Sequence, residues 1–319
     1  MLRVTIVVAS IGTICLLTSR AGAHDLKGAV LEMTDSLSPS IARALAATPR
    51  ADYNTRSVLN NLRLWPIPRK LTICFLAGAQ NLRKRVAAAA HRNWPLAELT
   101  EGRLDFDPSS LGNTPDCGEG KADIRVAFDP QEGNFSYVGM ESLVRYPSMN
   151  LGGLTETSPE PVEFDRIVGH EFGHALGLEH EHKSPGVKKC EWNFDYISKN
   201  YKWKNEREMR SNFETLQDFL VGTRHAFIYS TPDKKSIMYY FFGPEGFING
   251  TKSPCYIKAK NYGSSMLDRN ALRIAYGPDA EATQGQMKGL VVDPMKAFPG
   301  AEYKGIRDLL NLKTTLLGQ

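Results

Sequence analysis

The chain has 319 residues, of which 42% are apolar and 23% charged, and its formal net charge is +4. This composition is typical of a soluble globular protein and excludes a disordered tail, a collagen-like fibre and a multi-span membrane protein. Basic residues form no long block, so nucleic acid is not expected as a partner.

The first residues carry the pattern of a secretory signal peptide. A charged start is followed by a mostly apolar run over 4–17 and by small residues that end at Ala23. We therefore predict a signal peptide over 1–23, cleaved after Ala23, and a secreted or periplasmic protein. The alternative is a membrane anchor, but a span needs about 20 apolar residues, and two threonines, a serine and a glycine interrupt this run. No membrane association is expected after cleavage.

Beyond the signal peptide, the chain divides into an N-terminal arm, one large domain and a tail. Residues 24–60 are mixed and polar, which is typical of an arm or a pro-segment. Residues 61–280 carry the regular apolar patterns of a folded domain, and 281–319 form the tail.

Hydrophobic periodicity predicts secondary structure across the large domain. Strands are predicted at 71–76, 122–128, 135–139 and 148–151, and helices at 81–94, 163–176, 205–220 and 265–276. Gly177 ends the second of these helices, and Ser265 with Asp268 forms a capping box at the start of the last. Strands and helices interleave in the first part and helices dominate the second, so the predicted fold class is mixed α/β.

Four cysteines remain after removal of the leader, which takes Cys15 with it. They are Cys74, Cys117, Cys190 and Cys255, widely spaced and without a Cys-x-x-Cys pair. An even number in an exported protein indicates two disulfides rather than a structural zinc site. Three pairings are possible, and we favour Cys74–Cys117 with Cys190–Cys255 because each pair then stays on one side of the central motif. The alternative is that some are free buried thiols.

The central motif has the spacing of a catalytic metal site. The chain reads H-E-x-x-H-x-x-G-x-x-H from His170, with Glu171, His174, Gly177 and His180 in its fixed positions. On a helix, His170 and His174 project from one face, and Gly177 lets the chain turn so that His180 returns as a third ligand. Three neutral imidazoles predict one catalytic Zn²⁺ with an open coordination position, and Glu171 is placed to accept a proton. The alternative, ordinary surface histidines, rarely produces all of these spacings together.

The extended motif is the metzincin signature, and the chain resembles that clan of zinc endopeptidases. Residues 236–240 read Ser-Ile-Met-Tyr-Tyr and are similar to the Met-turn of the astacin family. The resemblance implies a zincin fold: an N-terminal twisted sheet with helices, a mainly helical C-terminal half and an active-site cleft between them. It also implies that Met238 is the hydrophobic floor of the site, and that Tyr240 is both a further zinc ligand and a catalytic group. The alternative is that Met238 and Tyr240 are core residues.

The residues that follow the third histidine match the astacins only in part. Glu181 corresponds to the astacin glutamate that meets the mature N-terminal ammonium, although it is alternatively a solvated charge on the rim. The next four residues, 182–185, lack the Arg- and Asp-containing continuation of typical astacins. For His182 we weigh a spare metal contact against a solvated loop histidine, and we predict the second.

Metzincins bind extended substrate along an edge strand, and the resemblance implies such a strand here. Either 136–139 or 148–152 could supply it, and the alternative is that both are plain sheet. The candidate substrate-binding residues are Ser136, Tyr137, Gly139, Asn150 and Gly152.

Together these features predict a secreted zinc endopeptidase that acts on proteins or peptides with Glu171 as general base. Two alternatives stay open: a zinc-binding module that holds peptides without cutting them, and an exopeptidase. The sequence does not indicate an oligomeric state.

Overall fold

The computed structural model describes residues 59–60, 63–118, 122–158, 161–184, 190–201, 205–213, 227–228, 232–278 and 280. The predicted signal peptide, almost all of the arm and the tail over 281–319 lie outside the described residues, as does 214–220 of the predicted third helix. Within the described part, none of the helices has the length and apolar character needed to cross a membrane.

The described residues form short strands and α-helices of different lengths. The strands are β1 (Leu59–Asn60), β2 (Arg69–Leu71), β3 (Ile73–Phe75), β4 (Leu104–Phe106), β5 (Ile124–Ala127), β6 (Asn134–Ser136), β7 (Met149–Leu151) and β8 (Phe227–Ile228). The helices are α1 (Gln80–Asn93), α2 (Leu96–Leu99), α3 (Pro108–Asn113), α4 (Pro161–Ala175), α5 (Phe194–Asn200), α6 (Glu206–Phe213) and α7 (Met266–Tyr276).

A four-stranded sheet in the order β3-β5-β7-β6 forms the base of the first half. Its first three strands are parallel, and β6 pairs antiparallel with β7 at the edge. All four strands were predicted, although each is shorter than expected. Outside this sheet, β2 pairs in parallel with β4, and β1 pairs antiparallel with β8.

Helices α1 and α4 pack together beside this sheet. They approach closely at Gly169, where an added Cβ would come 2.5 Å from the Asn93 side chain. The indole of Trp94 donates from Nε1 to the Gly169 carbonyl over 2.8 Å. A second indole, that of Trp65, donates to the Ala175 carbonyl over 2.7 Å. Two buried indoles thus hold the middle and the end of α4.

Two large apolar clusters are found among the described residues, beside a small pair formed by Phe135 and Tyr137. The larger contains β3, β5, β7 and the inner faces of α1, α4 and α7. The smaller belongs to the second half, and half of its residues are aromatic. We call it the aromatic cluster, and it comprises Cys190, Trp192, Ile197, Met209, Phe213, Phe242, Phe247 and Cys255.

Both disulfides join the cysteines as predicted. Cys74–Cys117 connects β3 with the chain after α3, at a Cα–Cα distance of 4.7 Å. Cys190–Cys255 lies inside the aromatic cluster, at 5.8 Å. Each disulfide therefore belongs to one half of the molecule.

Regular structure is sparse in the second half. Between α6 and α7, the described residues 232–265 contain only short 3₁₀ turns. At the start of α7, the Ser265 hydroxyl accepts from two backbone N–H groups, and the Asp268 carboxylate accepts from the Ser265 N–H. This reciprocal capping box was predicted, and it fixes where the last helix begins.

Candidate active site

Helix α4 presents two histidines on one face. His170 and His174 are four residues apart, so their rings lie next to each other, with ring centroids 4.9 Å apart. The helix then ends, and Gly177 adopts a φ of +101°, a conformation that glycine takes without strain. This turn returns the chain, so that the His180 ring lies 4.5 Å from that of His174.

The three histidines direct one nitrogen each to a common point. The Nε2 atom of His180 lies 3.2 Å from that of His170 and 3.0 Å from that of His174. On the opposite side of the rings, Nδ1 of His170 lies 2.8 Å from the Ile237 carbonyl oxygen. Nδ1 of His174 lies 2.8 Å from the Leu178 carbonyl oxygen. A carbonyl can only accept, so both Nδ1 atoms carry the proton and both Nε2 atoms present a lone pair.

This arrangement fits a zinc ion. Tetrahedral zinc with bonds of about 2.0–2.1 Å to histidine places its ligand nitrogens about 3.3–3.4 Å apart. The observed separations of 3.0 and 3.2 Å are close to that value. The lone pairs of His170 and His174 point to one place, and a cation there would be attracted by both. Three histidines leave a fourth tetrahedral position open, as in catalytic zinc sites.

Glu171 lies in the same buried space. Its side chain is only 2% exposed, and burial raises the pKa of its carboxyl well above the ordinary glutamate value, with Arg166 opposing this. Such a carboxyl is suited to move a proton, because burial raises its pKa and so favours the protonated form more than in an exposed glutamate.

Met238 lies beneath the site, fully buried. A Cβ added to Gly173 of α4 would come 2.5 Å from the Met238 sulfur, so this helix position has room only for glycine. The Met-turn thus packs directly against the histidine-bearing helix.

Tyr240 borders the three histidines from the other side. Its ring centroid lies 4.1 Å from that of His180 and 6.2 Å from that of His170. Burial raises the pKa of its phenol well above the ordinary value, and the negative charge of Glu171 raises it further. The phenol therefore stays protonated and can donate a hydrogen bond.

His182 is not the solvated loop histidine that was predicted. It is fully buried, stacks on Tyr240 with ring centroids 4.6 Å apart, and contacts Trp192 at 5.6 Å. Its Nε2 lies 2.9 Å from the Asn212 carbonyl oxygen of α6. Burial lowers the pKa of His182 to about 3, so the ring is neutral. The aromatic cluster excludes water from it.

Glu181 is likewise not a solvated rim charge. It is fully buried, and its carboxylate accepts a hydrogen bond of 3.0 Å from the backbone N–H of Asp233. The Glu181 N–H in turn donates to the Met238 carbonyl over 3.2 Å. The residue thus connects the third histidine to the Met-turn.

The candidate substrate-binding residues separate into two groups. Ser136 belongs to β6, the outer strand of the sheet; Tyr137 directly follows the strand, and Gly139 begins the 3₁₀ turn after it. Asn150 belongs to β7, which is paired on both sides, and its amide binds the 129–133 loop. Gly152 lies close to the same loop, where an added Cβ would come 2.1 Å from the Asp129 carbonyl oxygen. The first group therefore lies on or near a strand edge that no other described strand covers, and the second group does not.

Three supporting groups escape sequence analysis. They are the carbonyls of Ile237 and Leu178, and the Asp268 carboxylate that binds the Met-turn. Backbone carbonyls leave no mark in a sequence. Asp268 is visible as a helix cap, but its second set of contacts depends on the tertiary fold.

The site combines two histidines on a helix, a third histidine after a left-handed glycine, and a methionine turn beneath them. These features define a metzincin zinc centre on an α/β zincin fold. A family model described as reprolysin-like metallopeptidases of family M12B matches residues 114–212.

The chain is also similar to a zinc metalloproteinase and to a solved structure. It is 32% identical over 127 residues to zinc metalloproteinase nas-38 of Caenorhabditis elegans, a match that covers 35% of this chain and 15% of nas-38. It resembles the solved structure of myroilysin with a TM-score of 0.54 and 26% identity, over 69% of this chain and 98% of that one. These findings, with the three histidines, confirm the resemblance to metzincins of astacin-like type and one catalytic Zn²⁺.

Proposed function

We propose that this protein is a secreted, astacin-like zinc endopeptidase. The observation that carries the proposal is the convergence of three histidine Nε2 atoms, together with the burial of the Glu171 carboxyl on the helix that bears two of them. A non-catalytic zinc module needs the histidines but has no use for this carboxyl.

The proposed chemistry is hydrolysis of a peptide bond by water. His170, His174 and His180 would hold the zinc ion, which when bound would supply Lewis-acid polarisation of the peptide carbonyl and would acidify water. Glu171 accepts the proton of the attacking water and later delivers it to the leaving amine. Its raised pKa suits both transfers, because the group must bind and release one proton in each cycle.

Tyr240 is proposed to stabilise negative charge. Its protonated phenol lies beside His180 and near Glu171, so it can donate a hydrogen bond to the oxygen of the former carbonyl as charge develops there. As in the astacins it resembles, the same phenol is proposed as a further zinc ligand in the resting enzyme.

Substrate is proposed to bind as an extended chain along β6. One edge of this strand pairs with β7, and among the described residues no strand pairs with the other edge, so a peptide can add to it by backbone hydrogen bonds. Ser136, Tyr137 and Gly139 are the residues that would flank such a peptide. Asn150 and Gly152 are occupied in holding the 129–133 loop, so their contribution is indirect.

Secretion is supported by the signal-peptide pattern that ends at Ala23 and by the two disulfides. Disulfides persist in oxidising compartments, which are the compartments that a signal peptide leads to.

Digestion of unfolded casein by the purified protein tests the activity. Internal fragments that disappear when a zinc chelator is present, and that Glu171→Gln does not produce, would support an endopeptidase. Release of single terminal residues would indicate an exopeptidase. Casein binding without cleavage by the zinc-loaded protein would contradict the proposal.

A further inference from the structure

Asp268 makes more contacts than a helix cap requires. It is fully buried at the third position of α7, where its Oδ2 accepts from the Ser265 N–H over 2.8 Å, as in any capping box. The same Oδ2 also accepts from the Ile237 N–H over 3.1 Å. Its other oxygen, Oδ1, accepts from the Ser236 hydroxyl over 2.6 Å. One carboxylate therefore joins the last helix to the Met-turn.

A continuous chain of hydrogen bonds leads from this carboxylate to a zinc ligand. The Ser236 hydroxyl donates to Asp268 and accepts from the Met238 N–H over 2.9 Å. That N–H belongs to the same peptide group as the Ile237 carbonyl, which accepts from His170 Nδ1 over 2.8 Å. Every donor in this series points towards Asp268. We call the series the Asp268 relay.

A relay with one direction has a physical consequence for the metal ligand. Consecutive hydrogen bonds polarise one another, so a full negative charge at one end makes the Ile237 carbonyl a stronger acceptor. A stronger acceptor at Nδ1 fixes the ring and its tautomer and makes the opposite nitrogen a better ligand, as carboxylates do when they contact a metal-binding histidine directly. The positive N-terminal end of the α7 dipole stabilises the ionised form of the Asp268 carboxylate.

We propose that Asp268 is a positioning residue for the zinc site, acting on His170 through Ser236 and the Ile237–Met238 peptide. Asparagine cannot replace it, because an amide offers an acceptor on one side only, whereas both carboxylate oxygens accept. In Asp268→Asn, the side-chain NH₂ group would therefore face either the Ser236 hydroxyl or the N–H groups of Ile237 and Ser265. The effect on peptide hydrolysis rests on the proposed function, but the effect on zinc binding does not.

The test measures zinc affinity and the rate of zinc release to a coloured chelator in the full-length protein. Asp268→Asn and Ser236→Ala each break the relay and are expected to weaken zinc binding about 10-fold, with a matching increase in release rate. Ser265→Ala is the matched control, because it removes the hydroxyl that caps α7 and leaves the relay intact. Thermal melting of the metal-free variants records the loss of helix stability separately.

The proposal predicts lower melting temperatures for Asp268→Asn and Ser265→Ala, but faster zinc release only for the two relay variants. Equal zinc release by Ser265→Ala and Asp268→Asn would overturn it, since helix stability would then explain the effect. Wild-type zinc affinity in both relay variants would also overturn it. Neither measurement requires a substrate, so a protein that binds zinc but cuts nothing would contradict the proposed function and leave this result standing.

Discussion

Burial acts in opposite directions on the acids and the bases around the three histidines. It raises the pKa values of Glu171 and Tyr240 and lowers those of His174 and His182. Each shift favours the uncharged form, because a buried charge loses its hydration. A metal cation would therefore be the strongest charge in the site, and its field would dominate the behaviour of Glu171.

The assignment of Glu171 predicts a separation of metal binding from turnover. Glu171→Gln keeps the three imidazoles and the shape of the side chain, so zinc should remain bound at one ion per chain. Turnover should fall by about 100- to 10,000-fold, the contribution of a positioned general base. Metal analysis and casein cleavage measure the two quantities on one sample.

His174→Ala is the complementary control, because it removes a ligand and should abolish both zinc binding and cleavage. Near-wild-type cleavage by zinc-loaded Glu171→Gln would exclude Glu171 as the base.

Tyr240→Phe tests whether the phenol acts in the transition state. The variant keeps the ring that stacks on His182 and deletes only the hydroxyl. We expect kcat to fall by about 10- to 1,000-fold, as for one lost oxyanion donor. KM should change little because the lost interaction is absent from the ground state, and zinc should stay bound. An unchanged kcat in Tyr240→Phe would show that Tyr240 only packs in the site.

The two residues after His180, Glu181 and His182, show which side chains could not be placed from the sequence. The H-E-x-x-H-x-x-G-x-x-H spacing identifies the metal ligands because it encodes helix geometry directly. Glu181 and His182 follow in a polar segment, and nothing local indicates that they are buried. Their burial comes from Trp192, Phe213 and the Met-turn, which are distant in sequence.

Among the elements, the turn after β6 depends on a close backbone approach. Gly139 has a φ of +53°, and a Cβ added there would come 1.9 Å from the Arg63 carbonyl oxygen. The chain that leaves the proposed substrate strand thus lies against the segment that enters the domain. Arg63 also forms ion pairs with Glu141 and Glu179 over 3.2 and 3.6 Å, and Glu179 directly precedes the third histidine.

A pair of glycine variants separates the cost of the left-handed backbone at Gly139 from the cost of its close contact with Arg63. Gly102 also has a positive φ, +72°, but an added Cβ there meets nothing within 4 Å. Gly102→Ala should lower the free energy of unfolding by about 1–2 kcal/mol, the cost of the left-handed conformation alone. Gly139→Ala should lower the free energy of unfolding by more, because the backbone at Arg63 must also move.

Urea unfolding of the two glycine variants beside the wild type measures the difference. Equal losses would show that the contact with Arg63 adds nothing to the conformational cost.

The elements that the sequence predicts well are those with a clear local signal. Apolar periodicity identifies α1 and α4, and the capping box identifies the start of α7. Strands β2 and β4 were not predicted, because each has three residues and includes charged side chains. Such strands are specified by pairing with each other across 35 residues of chain, as in the Lys70–Asp105 ion pair, rather than by their own pattern.

The whole molecule is organised around α4. The larger apolar cluster lies on one side of the zinc site, and the aromatic cluster contacts it through Tyr240 and His182. The mixed α/β class and the disulfide pairing could be predicted because they follow from element order and cysteine spacing. The aromatic cluster could not, since its members are scattered from 190 to 255.

Zinc content should depend steeply on pH. Ligand histidines bind metal only when neutral, so protons compete with zinc for up to three sites. Below the ordinary histidine pKa of about 6.5 the apparent affinity should begin to fall, by up to 1,000-fold per pH unit where all three ligands compete, and the lowered pKa of His174 places its share of this competition at lower pH. Equilibrium dialysis against buffered zinc from pH 7 to pH 4, followed by metal analysis, measures this.

Excess zinc should restore both metal content and casein cleavage in the acid range. A constant zinc content down to about pH 4 would contradict a site made of three histidines.

The two indoles that hold α4 give the molecule built-in optical probes. Trp65 and Trp94 donate to carbonyls of the zinc helix, at Ala175 and Gly169, and a third indole, Trp192, lies against His182. Indole emission shifts to longer wavelength when the ring becomes exposed to water. Fluorescence can therefore follow the histidine-bearing helix and its aromatic neighbour in real time, without a label and in the absence of substrate.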